Sequence, residues 1–449
     1  MNINKINLSN KEVLTMAFPT MLEMLFTTMT SIIDSKMVSI LGTKAISAIA
    51  VTNQPRLFIF SIFFAINTVI STLVATYLGK KDRVKANSFF ITSIKLIVVG
   101  SIVFGLLSIL FARTILEICS GQKDTMEMSI TYFRIIMGGM IFNHLYMGIN
   151  AVLRGCGNTK VTFTSSVVSC VINIFLNYCL IGGNLNFPAL GIKGAAISTV
   201  VGTIFASIFC LMYLYKANTF ISIKFCIKNK IKSTKSIFKE FYEMWKHVLR
   251  ENLLTRGGML IISSFNARAG SDAMAIYTIG NYLLNIIYAV GSGLQTASVA
   301  LIGRSNGEGR KDLIKEYQKT ILRLGLIISV LLSILFIVFA KPYFKLFSND
   351  PEFIQIGTYV CMIIAIIAPI QTAKIIYTGC LQGLGKMKET MISSLIAVTI
   401  AQPVFCYIFI ILLKLGVWGV WIPIFASQLI GLIMSYSFYR KAEINLGII

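Results

Sequence analysis

The sequence predicts an all-α membrane protein with twelve transmembrane helices, arranged as two parallel six-helix repeats (an N-lobe and a C-lobe) around a central cavity. Three observations carry this expectation. The chain has 449 residues, of which 56% are hydrophobic and 13% charged, whereas soluble domains are about a quarter charged. The mean hydropathy is +0.78, so most of the folded surface must face lipid or other apolar helices. Finally, glycine and lysine landmarks recur between the two halves at one spacing.

Apolar runs bounded by Gly, Pro and charge clusters mark the helices. The first half supplies 13–40, 46–78, 87–112, 128–153, 161–182 and 191–215. The second supplies 242–267, 273–303, 318–340, 353–379, 389–413 and 417–439. The first run is too long for a signal-peptide core and contains Glu23 and Asp34, so no cleaved leader is expected. Between the halves, residues 216–240 form a basic linker with seven lysines. The expected lobes are therefore 1–215 and 241–449.

Loop Lys and Arg total 24 on the side of the N-terminus and 8 on the other. Such an excess marks the cytoplasmic face, so both termini are expected there. The net charge of +23 is thereby accounted for by topology, which argues against nucleic-acid binding. Six spans per half is an even number, so the second half enters from the same side as the first. The repeat itself is read from Gly42 with Gly270, Gly79 with Gly307, Gly155 with Gly383, Gly157 with Gly385, and Lys160 with Lys388. Each pair is 228 residues apart, and Gly191 with Gly416 adds a pair at 225.

Acidic residues at membrane depth cost at least about 2.5–3.5 kcal/mol on the insertion scale and are functional candidates by default. Here they are Glu23, Asp34 and Glu251. Glu23, Thr27, Thr30, Ser31 and Asp34 recur at intervals of three and four, on one face of the first helix. Lys36 points roughly opposite and is expected to reach the outer headgroups. Basic residues left within spans include Arg56, Arg256 and Lys374. Pro19 lies fifteen residues before Asp34; it either kinks the helix statically or acts as a hinge. Asn173 and Asn177 share a face of the fifth span, and Thr199 opens the sixth. These three are either interhelical glue or, with Asp34, an oxygen-lined cation or proton site.

Other chemistries lack their residues. The nine cysteines are scattered without CxxC or Cys/His spacing and read as small buried hydrophobes. Two histidines make a histidine-based metal site improbable on residue supply alone. GKKDRVK and GNTK lack P-loop spacing, and no HExxH, GxSxG or paired catalytic carboxylates occur. No enzyme activity, metal or cofactor is expected.

The chain resembles the multidrug and toxic compound extrusion (MATE) family of secondary transporters over essentially its whole length. The residues that carry this are AFPTMLEMLFTTMTSIIDSKMVSILGTKAISAIAV, STLVATYLGKKD, NAVLRGCGNTK, NIFLNYCLIGG leading to GIKGAAIST, KLFSNDPEF and GCLQGLGKMKET. The resemblance implies export of organic, cationic or amphiphilic drugs and toxins in exchange for protons or sodium ions, by alternating access of two lobes. It implies a monomer in the cell membrane whose partners are small molecules, the coupling ion and the bilayer. In one branch of the family the cation site falls on Asp34, Asn173, Asn177 and Thr199, with a bend at Pro19. Asn177 stands where that branch carries aspartate, so one carboxylate remains and protons are favoured over sodium. A second-lobe site of another branch would fall on Thr255 and Gln371, neither acidic, with Glu251 one turn away. Glu23, Thr27, Thr30, Glu251, Arg256, Gln371 and Lys374 are the expected cavity-lining residues. The nearest alternative is a flippase of the same superfamily for a lipid-linked saccharide or other amphiphile.

Overall fold

The computed structural model describes residues 3–119, 123–216 and 219–448. The Lys5 side chain and linker residues 217–218 lie outside this description. Every predicted span is helical: α1 Ile3–Ser39, α2 Thr43–Gly79, α3 Arg83–Leu110, α4 Met126–Gly138, α5 Met140–Gly155, α6 Thr159–Gly182 and α7 Ile192–Lys216 in the first half. The second half contains α8 Lys235–Ala267, α9 Ser271–Gly307, α10 Lys311–Val338, α11 Pro351–Gly383, α12 Met387–Leu412 and α13 Val417–Asn445. The predicted span 128–153 is the pair α4–α5, bent by 47°.

Among the described residues, 10 helices are long and apolar enough to cross a membrane, and the bent pair makes 11. The twelfth position, α8, has the length at 33 residues. Its composition differs because Lys246, Arg250, Glu251 and Arg256 dilute the apolar run. α12 switches to π-helix over Leu395–Ala401 and Tyr407–Leu412, on either side of Pro403. Proline has no backbone N–H to donate, and wider turns accommodate the lost bond.

By packing, the chain divides into two compact units: Leu22–Trp245, and Met1–Met21 together with Lys246–Ile449. α1 is thus shared out, changing unit two residues beyond Pro19, and α8 is shared out after Trp245. The sequence places lobe limits at 215 and 241; the packing division instead gives the linker to the first unit.

In the Leu22–Trp245 unit the core forms where α2, α3 and α5 meet. His144 is 1% exposed there, stacked on Phe63 at 3.7 Å between centroids, with Nδ1 3.2 Å from Ser101 Oγ. The basic linker is docked on this unit rather than hanging free. Arg83 donates to the carbonyls of Thr219 at 2.8 Å and Phe220 at 3.0 Å, and stacks over Phe225 at 4.2 Å. Asn87 donates to Phe220 O at 3.0 Å and accepts from Ser222 N at 3.1 Å. Arg83 therefore does more than mark topology: it neutralises carbonyls that would otherwise be buried without partners.

In the other unit α9 and α11 pack most extensively. Gly379 makes this approach feasible, because a Cβ there would lie 2.9 Å from Gln295 O. The buried core includes Ile276, Ile287, Ile364 and Trp421. Residues 10–21 of α1 join a second buried cluster of this unit, with Val13, Ala17 and Met21 beside Val290, Leu294 and Tyr439.

The glycine pairs read from the sequence adopt matching conformations. Gly42 and Gly270 have φ of 90° and 107°, Gly157 and Gly385 of 80° and 74°, Gly191 and Gly416 of 55° and 52°. Only glycine adopts this left-handed region without strain. The turns match bond for bond: Asn158 N donates to Leu153 O at 2.8 Å, and Lys386 N to Leu381 O at 2.8 Å.

Candidate functional site

The Leu22–Trp245 unit assembles the four residues read from the sequence as a cation or proton site. α6 supplies Asn173 and Asn177 on its buried face, 5% and 1% exposed. α7 reaches this face because its contacting residues are small. A Cβ on Gly194 would lie 2.5 Å from Leu180 O, and one on Gly202 would lie 2.8 Å from Ser169 O. This close crossing sets Thr199 Oγ1 3.3 Å from the Asn173 amide. The last part of α1 brings up Asp34, which is half-buried.

Asn177 Nδ2 donates to Asp34 Oδ1 at 2.7 Å. The Asn173 amide is oriented by its neighbours. With its nitrogen toward Asp34 it donates to Oδ1 at 2.9 Å and Oδ2 at 3.2 Å, while its oxygen accepts from Thr199 N at 3.2 Å. The opposite orientation would face an amide oxygen against a carboxylate. Asp34 is thus held by amide donors from two side chains. Thr199 Oγ1 donates its own proton back to Ala195 O at 3.0 Å, leaving its lone pairs to accept. Asn177 Oδ1 is buried without a hydrogen-bond partner among the described residues, and a buried unpaired acceptor is costly unless another state uses it. Arg56 and Tyr132 lie nearby: Arg56 Nη2 donates to Asn53 Oδ1 at 2.9 Å, and Tyr132 is within electrostatic reach of Asp34 and Arg56. Neither residue was singled out from the sequence as part of the site.

Glu23 does not join this cluster, although it shares the polar face of α1. It is 4% exposed and its carboxylate is filled by other partners. Arg154 Nη2 donates at 2.6 Å, Ser166 Oγ at 2.9 Å and Thr162 Oγ1 at 3.1 Å. Arg154 is one of the 24 basic residues counted in loops from the sequence; it turns inward, because Glu23 needs a cation at that depth. Thr27 and Thr30 donate to the α1 carbonyls of Glu23 at 2.8 Å and Phe26 at 2.9 Å.

The same polar set is built a second time. Glu251 accepts from Thr390 Oγ1 at 3.0 Å and Ser394 Oγ at 2.6 Å. Glu23, Thr162 and Ser166 are each 228 residues before Glu251, Thr390 and Ser394, the offset of the glycine pairs. The cation differs. Arg154 corresponds to Gln382, while Lys374 stands where the first half has Tyr146, within electrostatic reach of Glu251. Lys374 Nζ donates to Gln428 Oε1 at 3.2 Å. Arg256 is half-buried within electrostatic reach of Tyr288, and Gln371 is buried with Oε1 unpartnered.

The Asp34 cluster has no such twin. At the same offset, Asp34, Asn173 and Asn177 correspond to Ile262, Ala401 and Phe405, and at 225 Thr199 corresponds to Ile424. Ile262 and Ile424 belong to the hydrophobic core of their unit. Thr162 and Ser166 do not stand out in the sequence because hydroxyls four apart on a membrane helix look like packing residues. Their recurrence at the repeat offset was the signal that could have found them.

The MatE family profile matches residues 19–179 and 248–408, once in each half. The probable multidrug resistance protein NorM of Thermotoga maritima is 24% identical over 418 residues, covering 93% of this chain and 89% of that protein. The multidrug export protein MepA of Staphylococcus aureus is 25% identical over 386 residues, covering 83% and 82%. A crystal structure of MATE in the bent conformation superposes with a TM-score of 0.89 at 18% identity, covering 100% of this chain and 99% of that one. A MOP superfamily transporter from Pyrococcus furiosus, described as having reverse polarity of the binding pocket, gives 0.90 at 19% identity, covering 98% and 97%.

Proposed function

Because the chain belongs to the MatE family of multi-pass membrane transporters, we propose that it exports small organic compounds, cationic or amphiphilic, in exchange for protons taken up at Asp34. Relatives named for multidrug resistance and export, matched along most of their length, support the substrate class. The observation that carries the coupling is the Asp34 cluster: a carboxylate held by two amides, beside the unpartnered Asn177 Oδ1, in one half of the repeat and replaced by hydrocarbon in the other.

Hydrogen-bond accounting supplies the mechanism. An ionised carboxylate only accepts, whereas a protonated one also donates. Taking up a proton therefore turns one Asp34 oxygen into a donor facing an amide nitrogen. The pair is satisfied again when Asn177 turns and presents Oδ1, now without a partner. That rotation changes how the end of α1 bears on α6. Pro19, buried in α1 where the helix changes unit, is the position at which the backbone bends most easily. The cycle we propose runs from an outward-open state, through protonation of Asp34, bending near Pro19 and narrowing of the cavity, to substrate release. Loss of the proton inward resets the carrier. In the described arrangement both amides offer nitrogen to Asp34. Sodium would need the amide oxygens there, so proton coupling is the simpler reading.

The test is reconstitution in liposomes with a pH or a sodium gradient imposed one at a time, following efflux of a fluorescent organic cation. Efflux driven by the pH gradient alone is expected. A response to sodium alone would move the coupling ion, and a response to neither would overturn the antiport reading.

A further inference from the structure

Within the unit containing Lys246–Ile449, a polar pocket of about 320 Å³ opens between α10, α11 and α13. Its cations are Lys315, Lys319 and Arg440, and its floor is formed by the buried Gln318, Tyr377 and Glu443. Glu443 is the one acid in the lining; it sits 3.8 Å from Arg440 Nη1 and within electrostatic reach of both lysines. The lining therefore keeps a positive excess. A second pocket of about 470 Å³ is lined almost wholly by carbon, including Leu322, Leu326, Ile370, Ala373, Leu432 and Ile433. The two adjoin, since Tyr377 and Tyr436 line both, with ring centroids 5.4 Å apart.

We propose that this basic pocket and the apolar groove adjoining it bind one anionic phospholipid, with the phosphate among Lys315, Lys319 and Arg440 and an acyl chain along the groove. The dimensions agree. From Lys315 to Leu326 is eleven residues, about 16 Å at 1.5 Å per residue. One leaflet's hydrocarbon is about 15 Å deep. Charge at the headgroup end, tyrosine at the boundary and aliphatic side chains beyond follow the polarity of a phospholipid from outside inward. Snorkelling lysines alone would not enclose a pocket, nor would they need the buried Gln318 amide, which reaches Tyr377 Oη at 3.5 Å. Lipid, rather than a soluble phosphate compound, is the occupant because the groove adjoining the pocket runs along apolar residues of α10, α11 and α13. The pocket also lies at the helix ends flanked by basic turns, where anionic headgroups are drawn.

The test uses the full chain in bilayers of phosphatidylcholine containing brominated phosphatidylglycerol as a minor component. Tryptophan placed at the exposed Ile433 (Ile433→Trp) reports quenching above the parent protein. About tenfold enrichment over brominated phosphatidylcholine at equal mole fraction is expected, falling to parity in Lys315→Gln/Lys319→Gln/Arg440→Gln. Native mass spectrometry of the unmodified chain should show retained phosphatidylglycerol, and the triple variant should not. Equal quenching by both lipids, or enrichment that survives the triple variant, overturns the proposal. Displacement by glycerol phosphate in water would assign the pocket to a soluble phosphate and also overturn it.

Discussion

Glu23 and Asp34 lie on one face of one helix, yet they sit in different chemistry. Glu23 is 4% exposed in a network closed by Arg154, Thr162 and Ser166. Asp34 is held by amides that can turn over. In the proposed cycle the first stays and the second changes. Removing one partner of a buried ion pair strands the other, at about 3–5 kcal/mol. Arg154 keeps 22% of its side chain exposed, so the low end applies. Glu23→Gln should cost about 3 kcal/mol, read as a fall in thermal unfolding temperature in detergent. Glu23→Gln/Arg154→Met should recover part of the loss. If Glu23→Gln is neutral, the network is not what holds α1 to α6. The sequence made Asp34 and its partners legible because amides at i and i+4 share a face. It hid the direction of Arg154, since a basic residue near a helix end reads equally as a headgroup contact.

Several elements in this chain are entered through glycine, as at Gly42, Gly270 and Gly416, and small residues sit at crossings. Gly155 shows the second role: a Cβ there would lie 2.5 Å from Ser71 O. Gly155→Val should therefore push α5 off α2 and lower the yield of folded protein, whereas valine at the exposed Gly309 meets nothing within 4 Å but must adopt φ of 70°. Comparing the two by size-exclusion recovery separates crowding from backbone strain. The linker offers another element-scale check. Cys226 is buried beneath the Arg83 clamp, and burial pushes its thiol up to about 11. Arg83→Ala should release the segment and speed alkylation of Cys226 at neutral pH by about tenfold. An unchanged rate would mean that the clamp carries little of the docking. Most helix positions were legible from hydropathy together with the Gly, Pro and charge clusters that bound the apolar runs. The docking was not, because a run rich in lysine reads as solvated until the carbonyls it leaves unpaired are counted.

At the scale of the whole molecule, the repeat is the organising fact. Duplicated turns and a duplicated Glu–Thr–Ser set show what both halves need in order to fold. The Asp34 cluster, present once, shows where they diverged. The sequence revealed the repeat through glycine because backbone conformation constrains residue identity there, whereas polar packing tolerates Arg154 in one half and Lys374 in the other. Orientation is a further whole-molecule prediction. With basic turns inside, a single cysteine at Lys441 should react with an impermeant maleimide in inverted vesicles and stay protected in intact cells; the reverse would invert the topology. The central claim is that export depends on a proton at Asp34. It is tested most directly by comparing wild type with Asp34→Asn in proteoliposomes under an imposed pH gradient, following efflux of a fluorescent cation. The account predicts gradient-driven efflux in the wild type and none above passive leak in Asp34→Asn, with both proteins eluting as folded monodisperse species. Full gradient-driven efflux by Asp34→Asn would contradict it.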